Sequence, residues 1–238
     1  MTTRKPSFYE KYVKRLLDIV CALTAIIVFW WLYIIIAVLV RIKLGSPVLF
    51  RQPRPGRNER IFYLCKFRSM TDARDERGEL LPDEVRLTKF GRALRKTSMD
   101  ELPEVFNILR GDMSIIGPRP QLVRDMVFMT PQQRQRHCVR PGLSGLAQTR
   151  GRNALSWDGK LETDLEYIRH ITFRGDVKIV WDTVRQVFFR HKGMEGSDLD
   201  EVEITDDLGD YLLKSGRVSQ EEYDSKQAQA KELLRRQT

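Results

Sequence analysis

An apolar segment near the N-terminus constrains the fold more than any other feature of this chain. Residues 16–40 are almost entirely apolar, and a helix needs only about 20 such residues to cross a bilayer. The segment is too long for the core of a signal peptide. Basic side chains flank both of its ends, and basic flanks favour the cytoplasmic side of a membrane. These flanking residues are Lys14, Arg15, Arg41 and Lys43.

Two basic flanks predict a membrane helix that re-enters, so that both of its ends lie on the same side of the membrane. A straight transmembrane helix would place only one flank on the cytoplasmic side, and it stays open as an alternative. A helix buried in the core of a soluble protein is the other alternative. We assign residues 1–45 to this membrane-embedded part of the chain.

The charge of the chain indicates an anionic partner. The formal net charge is +9, and the basic excess precedes residue 194 because the C-terminal part is acidic. Such a charge suits nucleic acid, phospholipid or a phosphorylated substrate, but no motif of a nucleic-acid-binding module occurs. Cys21, Cys65 and Cys138 lie far apart without CxxC spacing, so we expect a reducing compartment and neither a disulfide framework nor a zinc site.

Two adjacent carboxylates, Asp100 and Glu101, stand between a basic run at 86–96 and an apolar helical pattern at 102–109. The dipole at a helix start favours negative charge. The pair can therefore border one pocket, although neighbouring side chains on a helix point about 100° apart. The simpler alternative is an ordinary acidic first turn, in which Ser98 or Thr97 caps the helix and Glu101, three residues after Ser98, completes a capping box.

Arginines recur in turns after this dyad. Pro118 and Pro120 hold Arg119 in an extended turn, where its guanidinium can fork onto phosphate oxygens. Arg140 and Arg152 occupy two further turns that contain glycine. One such turn means little, but three in a short stretch favour a polyphosphate-binding region because planar bidentate donors suit phosphates.

Periodicity predicts several helices and a few short strands. A basic amphipathic helix at 86–95 suits an anionic membrane surface or ordinary exposure to solvent. After residue 193 the composition changes to an acidic linker and a helical hairpin, with Ser219 as N-cap and Glu222 at the capping-box position. We expect a main domain at 46–193 and an appendage at 194–238. The other expected elements are strands at 48–50, 61–70 and 112–116 and helices at 100–110, 155–171 and 176–190.

Nine short motifs follow one another along the chain. They are Lys14-Arg15-Leu16-Leu17-Asp18, Gly45-Ser46-Pro47, Arg54-Pro55-Gly56, Lys66-Phe67-Arg68-Ser69-Met70, Asp100-Glu101-Leu102-Pro103, Gly111-Asp112-Met113-Ser114, Gly117-Pro118-Arg119-Pro120, Arg140-Pro141-Gly142 and Gly151-Arg152-Asn153. In this order they resemble the monotopic phosphoglycosyl transferases, the bacterial sugar transferases that start glycan assembly on a polyprenyl carrier, and in particular the small PglC type. The resemblance covers roughly residues 11–192, and nine ordered motifs make chance agreement implausible.

The resemblance implies that a sugar-1-phosphate moves from a UDP-sugar to polyprenyl (undecaprenyl) phosphate and that UMP leaves. Asp100 matches the family's nucleophile, which implies a phosphosugar aspartyl intermediate and ping-pong kinetics. Glu101 matches the second dyad position, which serves Mg²⁺ coordination or proton handling, so Asp100 and Glu101 are the expected metal-binding residues. The resemblance also implies six substrate-binding or phosphate-binding residues, Lys66, Arg95, Arg119, Arg152, Asp164 and Asp176. For the two aspartates, ion pairs with nearby basic residues are an equal alternative.

The resemblance also implies a place in the cell and a fold. We expect the bacterial inner membrane, a catalytic domain on its cytoplasmic face, contact with membrane lipids, and no nucleic acid. The implied fold is α/β and mostly helical, and it joins the membrane helix to amphipathic helices at the membrane surface and a small β-sheet. The C-terminal hairpin resembles appended hairpins associated with oligomerisation, so a homo-oligomer through it is a further expectation.

One departure concerns the membrane helix. Relatives interrupt it with a Ser-Pro pair, whereas Trp30-Trp31 stands at that position here and residues 16–40 contain no proline. Without proline the helix keeps its hydrogen bonds, so a bend needs another cause.

The competing function is a non-catalytic scaffold at the membrane surface, in which the basic face binds anionic lipid.

Overall fold

A computed structural model describes residues 5–150, 155–189 and 207–236. These residues form mostly α-helices, together with two small two-stranded sheets, so the predicted α/β class with a small β part is confirmed. The strands are β1 (Leu49–Pro55), β2 (Ile61–Phe67), β3 (Ser114–Ile116) and β4 (Gly142–Ser144). The helices are α1 (Lys14–Leu44), α2 (Asp83–Arg86), α3 (Lys89–Lys96), α4 (Glu104–Arg110), α5 (Val123–Met126), α6 (Leu146–Arg150), α7 (Trp157–Arg169), α8 (Phe173–Phe189), α9 (Leu208–Lys214) and α10 (Gln220–Arg235).

The predicted apolar segment forms α1, an uninterrupted α-helix of 31 residues that is about 46 Å long at 1.5 Å per residue. Many of its large apolar side chains are exposed, such as Ile27 at 70% and Ile42 at 74%. Within the described residues, Tyr9–Leu44 is the one helical stretch long and apolar enough to cross a membrane. This exposure argues against the alternative of a helix buried in a soluble core, because such a helix would hide these side chains.

The chain forms two compact units. The second unit takes its core from the C-terminal half of α1, where Ile36, Val40 and Leu44 pack against Phe67 of β2 and Leu94 of α3. Spacing of four residues places these α1 side chains on one face, and that face supports the strand and helix beside it. The first unit comprises Met1–Leu17, Pro53–Phe62 and Gly111–Thr238, and the second comprises Asp18–Gln52 and Tyr63–Arg110.

A parallel strand pair in the first unit was not predicted. The segment expected to be a simple Pro-Gly turn forms β4, which pairs with β3 so that Ser114 faces Gly142. A Cβ atom at Gly142 would lie 2.1 Å from the backbone nitrogen of Gly117, so only glycine permits this close approach. Two residues of regular pairing leave no periodic signal in a sequence, which is why a turn was the natural interpretation.

Helices α7 and α8 build the main core of the first unit with β3. Near the start of α8, buried Asp176 accepts hydrogen bonds from the hydroxyls of Tyr9 (2.7 Å) and Tyr167 (2.8 Å). Lys14, the first residue of α1, forms an ion pair with the same carboxylate. The segment that leads into the apolar helix is therefore held against α8.

The C-terminal hairpin packs within its own chain. Leu212, Tyr223 and Leu233 contact a buried cluster that includes Phe128 and Leu161. The predicted N-cap is confirmed, because Ser219 Oγ accepts from the backbone nitrogen of residue 222 at 3.2 Å. Most of the predicted acidic linker lies outside the described residues. Since the apolar face of the hairpin is used here, oligomerisation through it stays a prediction without structural support.

Asp125 makes the docking of this hairpin dependent on pH. Its carboxylate accepts from the backbone nitrogens of Leu208 and Leu122, each at 3.0 Å. Burial, followed by the nearby charge of Asp207, raises the pKa of Asp125 to about 6. The folded chain therefore binds more protons than the unfolded chain between the ordinary value and about 6, so this contribution is present at low pH and is lost as pH rises.

We expect the stability of the wild type, relative to Asp125→Asn, to fall by at most about 3 kcal/mol between pH 4 and pH 7. Asparagine cannot titrate, so the variant lacks this part of the pH dependence. Urea unfolding of both proteins in detergent at several pH values measures the difference, with Glu221→Gln on the exposed face of α10 as control. Identical pH dependence in wild type and Asp125→Asn would contradict the assignment.

Candidate active site

The carboxylate dyad lies on a tight turn and not in the first turn of an α-helix. Asp100 and Glu101 belong to a short 3-10 helix, Met99–Glu101, and α4 begins afterwards at Glu104. Ser98 has a left-handed backbone with φ of 55°, and its side chain makes no capping hydrogen bond. The capping-box alternative is therefore wrong. A left-handed residue other than glycine is uncommon and persists where its surroundings impose it.

Lys66 of β2 joins the dyad to α4. Its Nζ atom lies 2.8 Å from Oε1 of Glu101 and 3.2 Å from Oε1 of Glu104. The side chains of Lys66 and Glu101 are 18% and 17% exposed, whereas that of Glu104 is only 3% exposed. One ammonium group thus serves two carboxylates, and Glu104 was not among the predicted site residues.

Asn107 holds α4 against the strand that carries Lys66. Its fully buried side chain accepts from the backbone nitrogen of Cys65 at 3.0 Å and donates to the carbonyl of Tyr63 at 2.8 Å. The amide of Asn107 thus gives hydrogen-bond partners to a backbone nitrogen and a backbone carbonyl at the edge of β2, as a neighbouring strand would. This contact sets the separation of β2 and α4, and with it the separation of Lys66 and Glu104.

Arg95 approaches the same region from α3. Its Nε donates to Oγ of Ser69 at 2.9 Å, just beyond the end of β2. The close approach depends on Gly91, where a Cβ atom would lie 1.7 Å from the carbonyl oxygen of Ser69. Any other residue at this position would push α3 away.

Asp100 is 7% exposed, and its surroundings act on its charge in opposite directions. Burial is the largest influence and raises the pKa of Asp100 above its ordinary value. The positive charges of Lys66 and Arg95 lower this pKa, and the neighbouring Glu101 raises it. Removal from water therefore disfavours the charged carboxylate of Asp100, while the two cations favour it.

The apolar helix takes part in building this site. Tyr33 of α1 donates its hydroxyl to the backbone carbonyl of Leu102 at 3.0 Å, directly after the dyad. Its ring also contacts Phe67 of β2 and Phe106 of α4, with centroids 6.3 Å and 5.9 Å away. Tyrosine in the middle of an apolar segment looks misplaced in the sequence, but here its polar tip has a partner inside the protein.

The other predicted site residues are two aspartates, Asp164 and Asp176, and two arginines, Arg119 and Arg152. Asp164 forms a buried ion pair with Arg136 at 2.6 Å, and Asp176 pairs with Lys14. Both aspartates thus form the ion pairs that were the alternative to a substrate role, and that role stays a prediction. The backbone carbonyl of Arg119 accepts from Arg136 at 2.7 Å. Arg152 lies outside the described residues.

Comparison with known proteins identifies the chain. The sequence profile of a family described as bacterial sugar transferase matches residues 9–190, from the start of the apolar helix to the end of α8. The chain belongs to the bacterial sugar transferase family. The resemblance to the family that the nine motifs predicted is therefore confirmed, and the PglC type stays a prediction.

This bacterial sugar transferase is 49% identical over 175 residues to the uncharacterized sugar transferase EpsL of Bacillus subtilis, and the match covers 74% of the chain and 87% of that protein. It is 39% identical over 190 residues to the UDP-N-acetylgalactosamine-undecaprenyl-phosphate N-acetylgalactosaminephosphotransferase of Aeromonas hydrophila, covering 76% of the chain and 45% of that protein. The UDP-glucose:undecaprenyl-phosphate glucose-1-phosphate transferase of Xanthomonas campestris is 37% identical over 184 residues, covering 72% and 38%. The chain thus spans less than half the length of the last two relatives.

These names limit what membership of the sugar transferase family establishes. Two relatives of similar identity are named for different sugars, N-acetylgalactosamine and glucose. Both names share undecaprenyl phosphate as acceptor and a UDP-sugar as donor. The family therefore indicates a class of reaction and leaves the sugar open.

Whether this sugar transferase can hold Mg²⁺ depends on the donors near the dyad. Among the described residues, no three His, Cys, Asp or Glu side chains converge as a metal site. Mg²⁺ is, however, commonly bound by one or two carboxylates together with substrate phosphates and water. Asp100 and Glu101 fit that pattern, provided that a bound diphosphate supplies further oxygens.

Proposed function

We propose that this chain transfers a sugar-1-phosphate from a UDP-sugar to undecaprenyl phosphate, giving undecaprenyl-diphosphate-sugar and UMP. The observation that carries the proposal is the buried carboxylate of Asp100 on a tight turn. Burial raises the pKa of this carboxylate, and the positive charges of Lys66 and Arg95 lower it. Relatives named for this class of reaction support it. The product is the first lipid-linked sugar of a polysaccharide or other glycoconjugate.

The reaction consists of two displacements at one phosphorus atom. A carboxylate oxygen of Asp100 attacks the phosphorus next to the sugar, and the bond from that phosphorus to the bridging oxygen breaks. UMP leaves with the bridging oxygen and its electron pair. A phosphate oxygen of undecaprenyl phosphate then attacks the same phosphorus, and the bond to Asp100 breaks, which restores the carboxylate. One covalent intermediate predicts ping-pong kinetics.

Fixed positive charges make the first attack feasible. A carboxylate that approaches a diphosphate meets charge repulsion, and cations held in place offset it without reorganisation during the reaction. Lys66 and Arg95 supply such charges in this part of the chain, and Arg119 and Arg152 are further proposed phosphate-binding residues. Mg²⁺, when bound by Asp100 and Glu101, supplies additional neutralisation of the diphosphate.

The proposed acceptor is a lipid, which requires the site to lie at a membrane. We infer that α1 enters the cytoplasmic membrane without crossing it, so that both of its ends face the cytoplasm. Tyr9 and Lys14, at its start, contact Asp176, which follows the helix in the chain. Because α1 is the one candidate membrane helix among the described residues, we place the described residues that follow it on one side of the membrane. The contacts of Tyr9 and Lys14 with Asp176 then favour the same side for the start of α1.

This arrangement predicts equal accessibility of the two flanks of α1. Single cysteines replacing Lys5 and Arg60, in a chain whose three native cysteines are serine, are exposed to a membrane-impermeant maleimide in intact and in lysed spheroplasts. We expect both positions to be labelled only after lysis, since both face the cytoplasm. Labelling of one position in intact spheroplasts would establish a straight transmembrane helix and overturn the inference.

The proposed function is tested by UMP release from membranes that contain the chain, with a panel of UDP-sugars. Continued release with undecaprenyl phosphate, and at most one equivalent without it, is the expected result for one sugar of the panel. No release with any UDP-sugar would overturn the proposal and leave the membrane-surface scaffold as the better account.

A further inference from the structure

Lys66 has two carboxylate partners, but the proposed reaction uses only one of them. Glu101 belongs to the dyad, whereas Glu104 lies at the first position of α4 and has no place in the reaction. The Nζ atom of Lys66 is nearly as close to Glu104 as to Glu101, at 3.2 Å against 2.8 Å. Glu104 therefore needs an explanation of its own.

Burial makes Glu104 unusual among the carboxylates around the dyad. The residue is 2% exposed, compared with 7% for Asp100. A buried carboxylate is costly unless it is paired, and a buried ion pair adds little net stability compared with apolar residues of similar size. Stability alone is thus a weak reason for a glutamate at this position, and a role in placing the lysine is the better one.

We propose that Glu104 is a positioning residue that holds the ammonium of Lys66 beside the dyad when Glu101 engages the donor. The inference rests on the proposed function and deepens it. Glu101 cannot both bind the donor or its metal ion and remain the sole partner of Lys66. Glu104 resolves this conflict because it keeps Lys66 in place when Glu101 turns towards the substrate.

The surroundings of the two glutamates fit these two roles, in which Glu101 engages the donor and Glu104 holds Lys66. Glu101 sits on the 3-10 turn with its side chain 17% exposed, where a substrate can reach it. Glu104 lies in α4, which Asn107 ties to β2 through two hydrogen bonds, to Tyr63 and Cys65, the strand residues just before Lys66. The fixed partner is therefore the buried one, and the accessible partner is the one with a role in chemistry.

Glu104→Gln tests the inference because it keeps the shape of the side chain and removes its charge. In single-turnover UMP release we expect the rate to fall about tenfold, while the KM for the UDP-sugar changes less than about threefold. Lys66→Met should also be slow. In the Lys66→Met background, Glu104→Gln should add less than about twofold, because the two residues act as one unit.

Glu101 provides the matched comparison. Glu101→Gln and Lys66→Met should combine more nearly additively, since Glu104 still holds the lysine when Glu101 is neutral. Glu222→Gln, in an exposed ion pair with Lys226 on α10, should leave the rate unchanged. Thermal unfolding of each variant separates placement from folding, and we expect the melting temperature of Glu104→Gln to stay near that of the wild type.

Additive losses in Glu104→Gln and Lys66→Met would overturn the inference, as would a loss of activity fully explained by a lower melting temperature. If Glu104→Gln does not fold, Glu104→Asp keeps the charge and withdraws it by one methylene, and it should give an intermediate rate that again depends on Lys66. A wild type that releases no UMP would refute the proposed function itself, which is a different outcome from active wild type with additive variants.

Discussion

Replacing Asp100 by asparagine is expected to lower UMP release by about 10⁴-fold or more, because the variant lacks the oxygen nucleophile. Asparagine preserves the size of the side chain in its buried turn, so the fold should be kept. With the donor alone, rapid quench and intact-protein mass spectrometry should show a phosphosugar adduct on the wild type and none on Asp100→Asn. The adduct is the most direct readout because it precedes any contact with the lipid acceptor.

The control for this experiment is Asp83→Asn, at an exposed aspartate that pairs with Arg86 at the start of α2. It should retain wild-type turnover and the adduct. Turnover by Asp100→Asn above a few per cent of wild type, or an adduct on that variant, would move the nucleophile elsewhere. Glu101 would then be the first candidate, since it shares the turn and the contact with Lys66.

The second large effect concerns folding and involves Asp164. Arg136 donates to this carboxylate from Nε at 2.9 Å and from Nη2 at 2.6 Å, and the two side chains are 1% and 4% exposed. Asp164→Ala leaves a guanidinium buried without its counter-charge, which costs about 3–5 kcal/mol. For a chain of this size the melting temperature should fall by about 10 °C.

Two further variants decide what this loss means. Asp164→Leu combined with Arg136→Met removes both charges, and it should recover most of the lost stability because a well-packed apolar pair replaces a buried ion pair. Glu166→Gln, on the same helix but in an exposed pair with Arg150, should change the stability by less than about 1 kcal/mol. Loss of activity in Asp164→Ala without loss of stability would instead favour the predicted role in substrate binding.

Both experiments bear on how the predicted residues relate to one another. Lys66, Arg95, Asp100 and Glu101 were expected at the site, and the structure brings them together in one compact unit. Asp164 and Asp176 belong to the first unit, where each pairs with a basic residue of that same unit. These pairs account for the burial of the two aspartates. The order of the motifs could not distinguish site residues from residues of buried ion pairs. An aspartate that organises a site and one that pairs with a buried arginine have the same appearance in a sequence.

Three residues that shape the dyad were beyond sequence reasoning. In the sequence, Tyr33 is one aromatic residue inside an apolar segment, Glu104 follows the dyad, and Asn107 lies among apolar residues. Each is explained by a partner distant in the chain, namely Leu102, Lys66 and the edge of β2. The one available signal was an unexplained polar residue within an apolar pattern, which indicates a buried partner but does not name it.

The sequence by itself determined the long apolar helix, the mostly helical class and the family, because hydrophobic periodicity and ordered local motifs are properties of neighbouring residues. Tertiary structure alone decided that the dyad sits on a 3-10 turn after a left-handed serine, that the start of α1 is held against α8, and that Glu104 shares the ammonium of Lys66. These features depend on side chains from separate elements meeting in space. Only the folded chain brings such partners within hydrogen-bonding distance.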